Sequence, residues 1–319
     1  MWQQVAALGE SALGRGLISQ ARLDEAERAL AASVRRAPSV DAYEALATIA
    51  IKTDRLGTAV QYVAHGLELL GGGTSGDRYH DAKLRRLAGD IARAARRPKD
   101  ATELYKQSLL AWASLGEDKH LPRPIAAERM LERGRVQWFL GEAQQAIELV
   151  QQAVDLDPDS AATCTTAVAF LIEVGRDGEA RDTLHRTLGS PDIGELYKVY
   201  ASLWALGDER WRGAPKDAIA IEYLKSRKGD LWYEQLAEAA TGRLAYARLA
   251  ANASTGARKA ELAYYGAVLG LDPTAATAPG ARARLREVLA AGVVLDAEYD
   301  LARAYLAEPA AGHVAVRAP

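Results

Sequence analysis

A frame of small and large apolar positions that returns about every 33 residues constrains this chain more than any other feature. It is clearest from Glu142 to Pro158, a helix-forming run that closes in Leu156-Asp157-Pro158. Upstream, Gly134 and Gly141 stand where a first helix needs a small residue and where an inter-helix turn needs glycine. The frame also fits Leu13-Gly14, Leu17, Leu23, Glu25-Ala26, Leu30, Ser33 and Pro38. It fits again at Tyr43, Leu46-Ala47, Leu56, Ala59, Val63 and Gly66, then at Gly89, Ala101, Tyr105, Ser108 and Leu109. A last match begins near Ala161 and runs through Gly175, Ala180, Leu184 and Leu188. Two antiparallel helices approach closely only where small side chains meet, so alanine or glycine marks each crossing and large side chains fill the holes beside it. One such pair cannot bury its apolar face alone; pairs must stack.

Composition agrees. Alanine is the commonest residue, and Leu, Arg and Glu, also strong helix formers, are abundant while β-branched residues are sparse. The expected fold class is therefore all-α. The chain has 319 residues, 40 Lys+Arg against 42 Asp+Glu and a net charge of −2, which argues against a nucleic-acid polyelectrolyte or a polybasic membrane-surface protein. With 49% hydrophobic residues there is material for a sizeable core. The single cysteine, Cys164, excludes an intramolecular disulfide and a cysteine-based zinc site. No window reaches the roughly 18 apolar residues of a membrane span. Residues 1–4 show no basic region before an apolar run, so no signal peptide is expected from them.

These positions together resemble the tetratricopeptide (TPR) repeat family over about residues 5–228. The resemblance implies a right-handed superhelical solenoid of antiparallel helix pairs, about six pairs in residues 1–228. Residues 229–307 are expected to be C-terminal capping helices and 308–319 a tail. Helices are expected at 231–241, 243–253, 257–271, 279–291 and 296–307. The hairpin pieces Ala260 to Gly266 and Ala281 to Val293 are loosely similar to the closing hairpins of bacterial TPR lipoproteins and periplasmic TPR scaffolds. Three interruptions are expected: a glycine loop at 71–76, an insertion at 116–124 holding Pro122 and Pro124, and a lengthened turn at 208–215.

Chemistry-bearing motifs are few. The glycine run lacks a preceding strand and a following Gly-Lys-Ser/Thr, so it reads as a linker and not a phosphate loop. His65, His80, His120, His185 and His313 form no helical metal pair, and neither metal nor cofactor is expected. Cys164 falls at a core position and reads as a structural thiol. Asp155, Asp157 and Asp159 lie at a helix end, where Asp159 or Ser160 would cap the next helix. No catalytic residue is assigned.

The repeat frame places Lys83, Arg86, Asp90 and Arg93 on the first-helix face that lines a TPR groove, with Arg135 on the same face one repeat later. One reading is a cationic strip receiving an acidic peptide or a terminal carboxylate; the other is a solvated face laced by Arg86–Asp90 and Asp90–Arg93 pairs. Trp138, Tyr197 and Trp204 take inner-face positions, where aromatics serve either as interface anchors or as core. With Asn252 the only asparagine, the Lys/Asn/Arg set of carboxylate-clamp TPRs is not assembled.

The expected function is a non-enzymatic scaffold binding a protein or peptide partner in its groove through Lys83, Arg86, Arg93, Arg135, Trp138, Tyr197 and Trp204. The alternative is an assembly or tethering subunit acting through its convex or C-terminal surface. Nucleic acid is not expected as a partner, and no transmembrane segment is expected. Cytoplasm is the default compartment; the C-terminal resemblance points toward the periplasm or envelope if a leader was removed.

Overall fold

The computed structural model describes residues 23–53, 55–71, 74–116 and 121–307, together with 4, 6–8, 10, 11 and 13. Among the described residues the regular structure is helical. The chain divides into two compact units, Met1–Asp118 and Lys119–Pro319. The boundary drawn at 228/229 from the sequence falls inside the second unit.

Unit 1 contains α1 (Leu23–Arg36), α2 (Val40–Lys52), α3 (Leu56–Glu68), α4 (Ser75–Ala94) and α5 (Pro98–Ala113). Helices α2/α3 and α4/α5 are hairpins, with α1 on α2, α3 on α4 and the first helices α2 and α4 side by side. Ser39 caps α2 by accepting from the Ala42 amide. Thr74 and Asp77 form a capping box on α4. That box starts the helix at Ser75, so the glycine linker is shorter than the sequence predicted: Ser75 and Gly76 are helical because Thr74 satisfies their turn. Gly72 and Gly73, Gly14 and Leu17, and His120 and His313 lie outside the described residues.

The glycines at the crossings do what the repeat frame requires. A β-carbon at Gly89 would lie 2.4 Å from the Tyr105 ring, and one at Gly134 would lie 3.1 Å from the Ala146 carbonyl oxygen. Larger side chains there would push the paired helices apart.

Unit 2 continues with hairpins α6 (Arg123–Phe139)/α7 (Ala143–Leu156), α8 (Ala161–Glu173)/α9 (Asp177–Gly189), α10 (Glu195–Arg212)/α11 (Ala218–Lys225) and α12 (Trp232–Ala240)/α13 (Tyr246–Ala251). Then come α14 (Gly256–Val268), a 3₁₀ turn at Pro273–Ala275, α15 (Ala278–Ala290) and α16 (Ala297–Ala307). The first helices stack α6 on α8, α8 on α10, and α10 on both α12 and α14. Helix α10 runs to Arg212, so the turn expected from Asp208 begins only at Gly213. Asp208 and Arg212 pair within the helix (2.9 Å), and Gly207 packs on Val268 instead of breaking it.

One turn recurs through both units. In the turn between the two helices of a pair, an amide donates to a carbonyl five residues back: Arg55 to Ala50, Arg97 to Ala92, Glu142 to Gln137, Arg176 to Leu171, Ala214 to Glu209 and Arg243 to Glu238. This is the 6→1 bond of a Schellman turn, which wants a left-handed residue just before it. Gly141, Gly175, Gly213 and Gly242 supply it. The bond at Arg243 carries the repeat signature past residue 229, where side-chain spacing no longer shows it. In the α4/α5 turn the position is filled by Arg96, at φ 57°. Arg96→Gly is therefore expected to stabilise the protein by about 1 kcal/mol, read as a raised urea midpoint with unchanged m-value.

Candidate functional site

The last helix does not extend the stack. Helix α16 turns back after Gly292 and lies on α8, α14 and α15. Of its buried residues, Glu298 (5% exposed), Leu301 (1%), Ala302 (0%) and Tyr305 (0%) fall at i, i+3, i+4 and i+7, with Asp300 (5%) and Ala304 (6%) flanking them. That spacing is one face of a helix seated in a groove.

The groove is made by the first helices. From α10, the Trp204 indole donates to Glu298 Oε1 (2.8 Å), and Trp211 stacks on Tyr305 with centroids 5.1 Å apart. From α14, the Tyr265 hydroxyl donates to Glu298 (2.6 Å), and Tyr264 lies parallel to Tyr305 at 6.4 Å. The Tyr305 hydroxyl donates to Asp208 Oδ1 (3.0 Å). On the flank, Arg135 of α6 donates to Asp300 (3.2 Å), and Arg303 donates to Glu173 of α8 (2.6 Å). Glu173 also accepts from the Trp138 indole (2.7 Å). Arg282 of α15 donates to the Leu306 carbonyl (2.6 Å), satisfying the last turn of α16.

These carboxylates are desolvated, and the consequences are electrostatic. Burial pushes Glu298 up, with the charge of Asp296 adding to it. Its neighbour Glu261, which accepts from Trp232 (2.6 Å) and Tyr200 (2.9 Å), is pushed up to about 8 by burial and by Glu298 and Asp296. Burial likewise raises Glu173, and it raises Asp208 to about 7 against the opposing charge of Arg212. A carboxyl whose folded pKa lies above its unfolded one binds more protons when folded. Stability therefore falls as pH rises from the unfolded value, near 4.5 for glutamate, to the folded one, about 8 for Glu261. The urea midpoint of unit 2 is expected to drop between about pH 5 and pH 8, and Glu261→Gln to flatten that slope.

The residues singled out from sequence fall into two places. In unit 2, Arg135, Trp138 and Trp204 are brought together by α8 and α16, but as partners of Glu173, Glu298 and Asp300 rather than as a solvent-facing rim. Trp138 is buried edge-on against Phe170. Tyr197 is half-buried in the first turn of α10, two turns before Trp204. In unit 1, Lys83, Arg86 and Arg93 do share α4, and they are neutralised there. Lys83 pairs with Glu44 (2.6 Å), and both arginines turn to buried Asp90, Arg86 at 2.5 Å and Arg93 at 3.7 Å. Burial opposes ionisation of Glu44, yet its hydrogen bond from His80 and the charge of Lys83 bring it below its ordinary value. The cationic strip is thus an ion-pair network laid across α2 and α4.

The remaining candidates resolve simply. Ser160 caps α8 by accepting from Thr163 N, while Asp159 accepts from Ser190. Cys164 is buried, its thiol directed at the Pro158 carbonyl (3.0 Å) and raised by burial. His185 pairs with Asp217 (2.6 Å). Among the described residues no group of three or more His, Cys, Asp or Glu side chains could hold a metal ion, and no helix is long and apolar enough to cross a membrane. Sequence reasoning missed Glu173, Glu261, Glu298, Asp300 and Tyr305. The i, i+3, i+4, i+7 pattern of α16 was the available signal, but Glu298 looks like a solvated position until its partners are seen.

No family model matches the chain, and no curated protein matches it. Among solved structures, one reported under "Functional Characterization of Pseudomonas Aeruginosa pilF" is 14% identical, covering 70% of this chain and 91% of that chain with a TM-score of 0.40. The all-α paired-helix fold rests on the helices and turns described above.

Proposed function

We propose that this chain is a TPR-like, non-enzymatic scaffold that binds a protein partner by receiving a helix on the first-helix face of unit 2. One observation carries the reading: that face already holds a helix, α16, through aromatic, arginine and carboxylate contacts drawn from α6, α8, α10 and α14. Tryptophan, tyrosine and arginine in such positions are the residue types that dominate protein interfaces. The buried carboxylates support the non-enzymatic part of the reading: Glu173, Glu298 and Asp300 are occupied in holding α16, Asp208 accepts from Tyr305, and Glu261 accepts from Trp232 and Tyr200. The partner assigned to the groove from sequence, an acidic peptide on Lys83 and Arg86, gives way to a helix, because Glu44 and Asp90 already answer those cations.

Affinity capture with full-length protein from the source organism tests this. Trp204→Ala is expected to lose a partner that wild type retains, and Tyr305→Ala, which loosens α16, to recover more of it. Identical partner profiles for all three chains, each with wild-type helicity, would rule the reading out.

A further inference from the structure

Resting on that scaffold reading, we infer that α16 is an exchangeable resident of the groove, and that the partner's helix has its chemistry: a carboxylate at i, an aliphatic residue at i+3, a small residue at i+4 and a tyrosine at i+7.

The seat supplies separate receptors for the first and last of these positions. The indole of Trp204 and the hydroxyl of Tyr265 converge on one carboxylate oxygen, at 2.8 and 2.6 Å. The planes of Trp211 and Tyr264 make a slot for an aromatic ring, and Asp208 at its base accepts from the ring's hydroxyl. The spacing of carboxylate site and ring slot matches two turns of helix. All of these groups belong to α10 and α14. The groups that receive α16 thus sit on two helices that also pack on each other, with Leu301, Ala302 and Tyr305 completing the same core.

Exchange requires the resident to be held below its best affinity, and Glu298 provides that. Among the described residues its oxygen accepts from two neutral donors and from no cation. It lies in the repulsive field of Asp296 and Glu261. A buried carboxylate without a cationic partner retains much of its desolvation cost. Arg135 and Arg303 compensate only the outer flank, through Asp300 and Glu173. A partner helix that adds contacts beyond the 11 residues of α16 can therefore outcompete it.

The test uses the full chain carrying Leu301→Asp and Tyr305→Ala, both on α16 and neither on its seat. The probe is a fluorescent peptide with the sequence of residues 296–307. The expected result is saturable binding at least about tenfold tighter than to wild type, whose own helix competes. Adding Trp204→Ala to the host, or Tyr305→Ala to the peptide, is expected to abolish it. Circular dichroism and a cooperative melt establish that the host is folded. A folded host that does not bind, or a wild-type chain that binds equally well, overturns the inference. So does a host that loses its fold altogether, because α16 is then core and not ligand. A wild-type dimer that these substitutions render monomeric would assign the seat to a second copy of the chain and overturn the partner-helix assignment. The scaffold reading is judged separately, by the capture experiment.

Discussion

Asp90→Ala is expected to destabilise unit 1 by about 3–5 kcal/mol, the usual cost of removing one member of a buried ion pair and stranding the other. Asp90 is 0% exposed. It accepts from the Arg86 guanidinium at 2.5 Å on its own helix and from the Tyr105 hydroxyl at 2.7 Å across the hairpin. Gly89, one residue earlier, clears the space that the Tyr105 ring occupies. The pair of residues thus sets both the distance between α4 and α5 and their register. Alanine would leave the Arg86 charge in a dry site and the tyrosine hydroxyl without its acceptor. Tyr105→Phe removes only one hydrogen bond and is expected to cost about 1 kcal/mol. Urea denaturation of the full chain, following the transition of unit 1, distinguishes the two. A midpoint for Asp90→Ala no lower than that for Tyr105→Phe would mean that the cross-helix network does not hold the hairpin.

The second large effect belongs to unit 2. Tyr305→Ala is expected to cost α16 about 3–5 kcal/mol of docking free energy, as for a large aromatic removed from a core. Three interactions go at once: the stack on Trp211, the parallel contact with Tyr264 and the hydrogen bond to Asp208. Because α8 packs on α10 and α10 on α14, the loss should appear locally. Tryptophan fluorescence is expected to change as Trp211 gains solvent, while helicity falls by no more than the length of α16. Tyr305→Phe keeps both ring contacts, loses about 1 kcal/mol and leaves the helix seated. A Tyr305→Ala chain with wild-type fluorescence and stability would show that the ring slot does not retain the helix.

What the sequence conveyed and what it hid divide along physical lines. The crossing glycines Gly89 and Gly134 and the turn glycines Gly141 and Gly175 were readable because close helix packing and a left-handed turn each demand a particular residue at a particular spacing. Arg96 hid an equivalent turn by occupying a glycine position with a side chain. The extent of α10 was misjudged at Gly207, which serves contact with Val268 rather than chain reversal. Arg135 and Trp204, placed on one inner face from the sequence, both contact α16. That contact was invisible, because α16 lies far along the chain: Trp204 and Glu298 are 94 residues apart, Arg135 and Asp300 165. Local patterns report on neighbours one or two turns away and carry no record of such pairs. The strip at Lys83 and Arg86 was open to two readings: the Arg86–Asp90 pair, one turn apart, was legible, whereas Glu44, the partner of Lys83, stands one helix pair earlier and was not.

Native-state hydrogen exchange on the wild-type chain tests the central claim most directly, that α16 occupies a preformed seat as a ligand would. The account predicts that amides of residues 297–307 exchange through a partial opening of lower free energy than global unfolding, with α8, α10 and α14 still protected. Exchange of α16 only in the same cooperative unfolding event as those helices would contradict it.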